Sequence, residues 1–79
     1  MKALVVDDSL EVVSSIRLIL QRENWTVDGA FDGEDGVRRA MANSYDLFIV
    51  DFKMPRVGGI EFIHRVQRHR SLAGIPFIF

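Results

Sequence analysis

The chain of 79 residues contains no cysteine. That excludes disulfides, a thiol nucleophile and thiolate metal ligands, and it fits a reducing compartment. An excess of one charge sign is also lacking: Lys and Arg number 10, Asp and Glu 11, and the net charge is −1. A general nucleic-acid binder would carry a strong basic excess, so no nucleic-acid partner is expected. No apolar run approaches the roughly 20 residues that cross a bilayer. The run at the start, Ala3-Leu4-Val5-Val6, meets Asp7-Asp8 too early for a signal peptide. A soluble, cytoplasmic protein with no membrane partner is the expectation. No G-x-G-x-x-G follows the first apolar run, which removes the dinucleotide-binding fingerprint. Repeats, linkers and low-complexity tracts are absent too.

What is present suits one small globular domain, residues 1–79. Hydrophobic residues make up 48% and charged residues 27%, a balance that favours folding over disorder. At this length the buried fraction is modest and stability is marginal. The charges are unevenly spread. Residues 1–51 hold ten acids and five bases, and residues 52–79 one acid and five bases. The acids therefore gather in the first half.

Periodicity gives seven elements. Ala3-Leu4-Val5-Val6 is a short continuous apolar run, suited to a strand covered on both faces. Val12, Val13, Ile16, Ile19 and Leu20 then fall at helical spacing as an expected inward face, with Asn24 as the stop. Residues 25–30 read as a second strand opened by Trp25, a packing residue. A second helix over residues 33–42 turns Val37, Ala40 and Met41 inward, although Gly36 weakens it by about 1 kcal/mol relative to Ala. Leu47-Phe48-Ile49-Val50 is a third buried strand. Phe62, Ile63 and Val66 form the inner face of a helix over residues 59–68. Residues 75–79 begin a fourth strand. The order βαβαβαβ predicts a doubly wound parallel sheet with right-handed crossovers and helices on both faces.

In such sheets ligands bind beyond the carboxyl ends of the strands. Asp7-Asp8 ends the first strand and Asp51 ends the third, and in a doubly wound sheet these strands are neighbours. Three carboxylates should therefore converge on one rim. Close like charges oppose full ionisation, and a hard divalent cation relieves this. Oxygen ligands with open positions suit Mg²⁺ or Mn²⁺, and without Cys or a nearby His zinc is disfavoured. A carboxylate beside such a cation can also attack a phosphoryl group.

Val5-Val6-Asp7-Asp8-Ser9, the run Ile49-Val50-Asp51-Phe52-Lys53-Met54-Pro55, Gly59 and Ile75-Pro76-Phe77-Ile78-Phe79 together resemble the CheY-like receiver domain of two-component response regulators. The acidic pair with D-x-x-M-P at this separation is a specific signature. The resemblance implies a flavodoxin-like fold, here a partial receiver truncated after the fourth strand, with three and a half of five βα units. It implies that Asp51 is the phosphoacceptor for a histidine kinase or phosphotransfer protein. It also implies that Asp8 and Asp51 ligate Mg²⁺, that Asp7 acts through a water, and that the Lys53 backbone carbonyl is a further ligand. Met54-Pro55 and Gly58-Gly59 would shape the loop after the phosphoacceptor. The family's phosphoryl-binding Ser/Thr and its conserved Lys would fall beyond residue 79, and Lys53 is not their substitute. A missing last helix would leave one sheet face open near the third and fourth strands. Ile75, Phe77, Ile78 and Phe79 would then form an apolar edge to be covered by a second copy of the chain, as a homodimer, or by another partner.

Blander roles stand beside these. Asp8 could cap the first helix, with Glu11 completing a capping box; Asp7 has no evident capping role; Ser9 belongs to the helix start. His64 and His69 lie five apart and share no helical face, so they read as surface residues among Arg65, Arg68 and Arg70. Lys53 could tune phosphate lifetime or be plain surface. A non-switching interaction or dimerisation module is the alternative to a working receiver. A haloacid-dehalogenase-type phosphatase would want D-x-D where this chain has Asp7-Asp8-Ser9.

Overall fold

The computed structural model describes residues 1–54 and 57–79. Its elements are β1 (Lys2–Val6), α1 (Leu10–Gln21), β2 (Thr26–Ala30), α2 (Gly33–Ala42), β3 (Leu47–Val50), α3 (Gly59–Gln67) and β4 (Phe77–Ile78). The strands form one parallel sheet in the order β2-β1-β3-β4, the doubly wound architecture that the alternation predicts. β1 and β3 are neighbours, and Val6 at the end of β1 pairs with Val50 at the end of β3. Asp7 and Asp51 therefore leave the sheet level with one another. No helix among the described residues is long and apolar enough to cross a membrane.

α2 and α3 cover one face of the sheet. Leu4, Val6, Phe48, Val50, Phe62, Ile63 and Val66 are buried there, and the Phe48 and Phe62 rings meet edge to face, centroids 5.3 Å apart. Gly36 has a packing reason. A Cβ at that position would sit 3.0 Å from both Phe62 and Val6, so the glycine lets α2 close onto α3 and β1.

α1 lies on the other face, over β2 and β1. Val5, Val13 and Val27 are buried beneath it, with Ile16, Leu20, Trp25 and Ile49 packed around them. α1 ends at Gln21, three residues before the expected stop, and the turn after it closes at Asn24, whose φ of 64° is left-handed, while the Trp25 N–H bonds back to the Leu20 carbonyl at 3.1 Å. Trp25 precedes β2 instead of opening it.

Three inward assignments need correction. Val12 and Ile19 are 40% and 61% exposed, because the sheet under α1 reaches Val13, Ile16 and Leu20 while this flank looks past β1. Met41, at the end of α2, is exposed as well. The apolar edge is narrower than expected: Ile75 and Phe77 pack half-buried against the α2–α3 cluster, and only Ile78 and Phe79 stand open.

Candidate functional site

Two backbone bonds extend the sheet one step past its strands. The Asp7 N–H donates to the Ala30 carbonyl at 2.9 Å, and the Asp51 N–H to the Val6 carbonyl at 2.7 Å. These bonds fix the Cα positions of both aspartates at the carboxyl rim. One carboxylate oxygen from each of Asp7, Asp8 and Asp51 lies within 4.8 Å of the others. Asp7 and Asp51 are half-buried and Asp8 is exposed.

Local hydrogen bonds set the loop conformations. The Asp7 Oδ1 accepts the Ser9 N–H at 2.9 Å, which gives Asp7 a turn-forming role that sequence reading missed. Ser9 has extended backbone and caps α1, its Oγ accepting the Val12 N–H at 3.3 Å. The cap is thus Ser9 and not Asp8, and Glu11 does not stand at the capping-box position. On the other loop, Asp51 Oδ1 accepts the Lys53 N–H at 3.4 Å. The Gly59 N–H bonds to the Phe52 carbonyl at 3.2 Å. A Cβ on Gly59 would fall 2.2 Å from the Asp51 carbonyl oxygen, so only glycine allows α3 to begin this close to the site. Met54 packs half-buried against the core. Pro55, expected to shape this loop, lies outside the described residues.

The electrostatics follow from the crowding. Burial pushes the Asp7 carboxyl above its ordinary value, the Ser9 N–H opposes this, and the Asp51 and Asp8 charges add to the rise. Among the described residues no Lys or Arg forms an ion pair with the three carboxylates. Their oxygens converge and, among the described residues, meet no counter-charge, which is the donor set a hard divalent cation takes. His64 and His69 join no such group among the described residues.

Sequence reading missed two further features. An apolar groove of about 330 Å³ opens beside the carboxylates, lined by Val12, Ile16, Ile49, Phe52 and Phe79 together with Asp7 and Asp51. Away from the rim, the Tyr45 hydroxyl donates to Asp28 Oδ2 at 2.7 Å, and Lys2 Nζ pairs with the same oxygen at 3.4 Å. Nothing in the spacing of Lys2, Asp28 and Tyr45 announces that contact.

Fold and site together define a doubly wound α/β protein with three converging carboxylates at the ends of its first and third strands. The comparisons with known proteins make the class specific. The response regulator receiver domain profile matches residues 3–79, and the chain belongs to that family, the receiver modules of two-component signalling. Response regulator ArlR of Staphylococcus saprophyticus is 33% identical over 70 residues, covering 89% of this chain and 32% of that protein. ArlR of Staphylococcus aureus is 34% identical over 68 residues, 86% of this chain and 31% of that protein. The chain thus spans about a third of these curated relatives. Among solved structures, the Vibrio cholerae chemotaxis protein CheY4 superposes with a TM-score of 0.93 at 30% identity, over 96% of this chain and 63% of that one. Thermotoga maritima response regulator TrrA, in complex with Mg²⁺-BeF, gives 0.83 at 30% identity, over 87% and 60%.

Proposed function

We propose that this chain accepts a phosphoryl group on Asp51 from a histidine kinase or phosphotransfer protein, with Mg²⁺ held by Asp8, Asp51 and the Lys53 backbone carbonyl, and by Asp7 through a water. The observation that carries this reading is the convergence of three carboxylate oxygens within 4.8 Å at the strand ends. The Mg²⁺-BeF complex of the Thermotoga maritima relative supports the choice of cation.

Each residue's part follows from its placement. The Asp51 backbone is fixed to β1 and pressed by Gly59, and its carboxylate is oriented by the Lys53 N–H, so the nucleophile is positioned before a donor arrives. An Asp51 oxygen forms the new P–O bond as the donor's P–N bond breaks, leaving an acyl phosphate. Asp7, tied by Ser9, and Asp8 stand back from the attack and supply negative charge for the cation. When bound, Mg²⁺ neutralises charge on the transferring oxygens. The reaction serves signal relay, so the chain acts as a signalling module that takes part in its own modification. The exposed Ile78 and Phe79 favour one more partner, a second copy of the chain.

Incubation with acetyl phosphate and Mg²⁺ followed by intact-mass spectrometry tests the reading. One base-labile phosphoryl adduct is expected, absent in Asp51→Asn. An adduct that persists on the variant would show the nucleophile to be another residue. No adduct while the cation binds would leave a non-switching interaction module.

A further inference from the structure

The connection from β2 to α2, residues 30–33, bonds to both acid-bearing loops. Its first residue, Ala30, is fully buried, and the Ala30 carbonyl accepts the Asp7 N–H at 2.9 Å. Its last, Gly33, donates its N–H to the Val57 carbonyl at 3.1 Å. Val57 lies in the loop that runs from Asp51 to Gly59, and its side chain is buried in the α2–α3 core. Asp32 has extended backbone and caps α2, its Oδ1 accepting the Asp35 N–H at 2.8 Å. The first turn of α2 thus fixes where the Gly33 N–H points.

The contact at Gly33 leaves no slack. A Cβ there would fall 2.2 Å from the Val57 carbonyl oxygen and 2.5 Å from the Val57 Cγ1. No described glycine has a positive φ, so close approach and not backbone freedom requires glycine here. The other hydrogen bonds of the loop are local, from the Lys53 N–H to Asp51 Oδ1 and from the Gly59 N–H to the Phe52 carbonyl. They set its internal shape. Among the described residues, the bond from Gly33 is the one backbone hydrogen bond that ties residues 52–58 to a part of the chain outside this loop and α3.

We propose that Gly33 is a positioning residue for the cation site. Through Val57 it holds the loop so that the Lys53 carbonyl and the Asp51 carboxylate face the same cation as Asp7 and Asp8. This rests on the reading of the cluster as a Mg²⁺ site. Mg²⁺ demands near-ideal octahedral geometry, so it responds to small displacements of its ligands. For a Cβ on Gly33 to reach ordinary contact at about 3.4 Å, the Val57 carbonyl would retreat by about 1 Å. Mg²⁺ affinity therefore depends on the start of α2, a helix that supplies none of the three carboxylates.

Calorimetric Mg²⁺ titration and Mn²⁺ broadening of amide resonances test this. Gly33→Ala should raise the Mg²⁺ dissociation constant by about tenfold. An amide-to-ester replacement of the Asp32–Gly33 peptide removes the donor without adding bulk; it should also raise the constant, and it carries the test where Gly33→Ala does not fold. In Gly33→Ala the amides of residues 7–9 should broaden at lower Mn²⁺ than those of residues 51–53, whereas in the wild type both sets broaden together. Tyr45→Phe, altered before β3 at the opposite rim, controls for lost stability and should keep the wild-type affinity. Wild-type affinity in the Gly33 forms, or an equal loss in Tyr45→Phe, overturns the inference. A wild type that binds no Mg²⁺ removes the cation reading instead. Hydrogen exchange in EDTA then decides the positioning role: faster exchange of the Lys53 and Gly59 amides in the Gly33 forms than in Tyr45→Phe supports it, and equal exchange overturns it.

Discussion

Asp51→Asn should make the cation-free protein more stable, not less. The substitution is isosteric and keeps an oxygen to accept the Lys53 N–H. Its effect is to remove one of three charges whose oxygens lie within 4.8 Å. Two unit charges at that distance repel by about 0.9 kcal/mol at the dielectric constant of water and about 3.5 kcal/mol at an effective value of 20. Asp8 is exposed and the other two are half-buried, so the low end applies, and salt screens it further. Relief of two pairs gives about 1–2 kcal/mol, or a rise in melting temperature of about 4–16 °C for a domain of this size. In Mg²⁺ the order should invert. The wild type gains about 2.7 kcal/mol at a hundredfold excess over its dissociation constant, while the variant has lost a ligand. Thermal melts followed by circular dichroism, in EDTA and in Mg²⁺, read both effects. A variant less stable than wild type in EDTA would mean that the carboxylates do not repel and the site is misdrawn.

Other consequences are equally specific. Gly59→Ala places a methyl 2.2 Å from the Asp51 carbonyl oxygen; it should destabilise by more than about 1 kcal/mol in a denaturant titration and should weaken Mg²⁺ binding with it. Phe62→Ala removes a fully buried ring from the α2–α3 core and should lose about 3–5 kcal/mol, enough to leave much of the chain unfolded at 37 °C by circular dichroism. The Asp28 carboxyl is raised by burial, but the Tyr45 hydroxyl and Lys2 outweigh this and hold it below its ordinary value. Its stabilisation is therefore present above a pH of about 4 and lost as the pH falls through the depressed value. Tyr45→Phe should lose about 1 kcal/mol at neutral pH, and the gap to wild type should narrow in acid, as urea titrations at several pH values would show.

How far the sequence led can be judged from particular residues. The convergence of Asp7, Asp8 and Asp51 was legible because parallel β1 and β3 must end on the same rim, and apolar runs mark those ends well. The inner face of α3 was legible for a similar reason: Phe62, Ile63 and Val66 face a sheet that covers them fully. The flank of α1 was not. Periodicity shows that Val12, Ile16 and Ile19 share a side of the helix, but not whether anything packs against it. The cap of α1 stayed open between neighbours because Asp8 and Ser9 are both good caps, and only the extended backbone of Ser9 decides between them. The Tyr45–Asp28 hydrogen bond joins residues 17 apart, a tertiary contact that carries no local signature.

The central claim is that the loops after β1 and β3 share one cation. Titrating Mn²⁺ into the isotope-labelled chain and following paramagnetic broadening of its amide resonances tests this directly. Amides of residues 7–9 and 51–53 should broaden together at the lowest Mn²⁺ and recover on addition of Mg²⁺. Broadening confined to one of the two loops, or spread over the acidic surface without regard to either, would contradict the account.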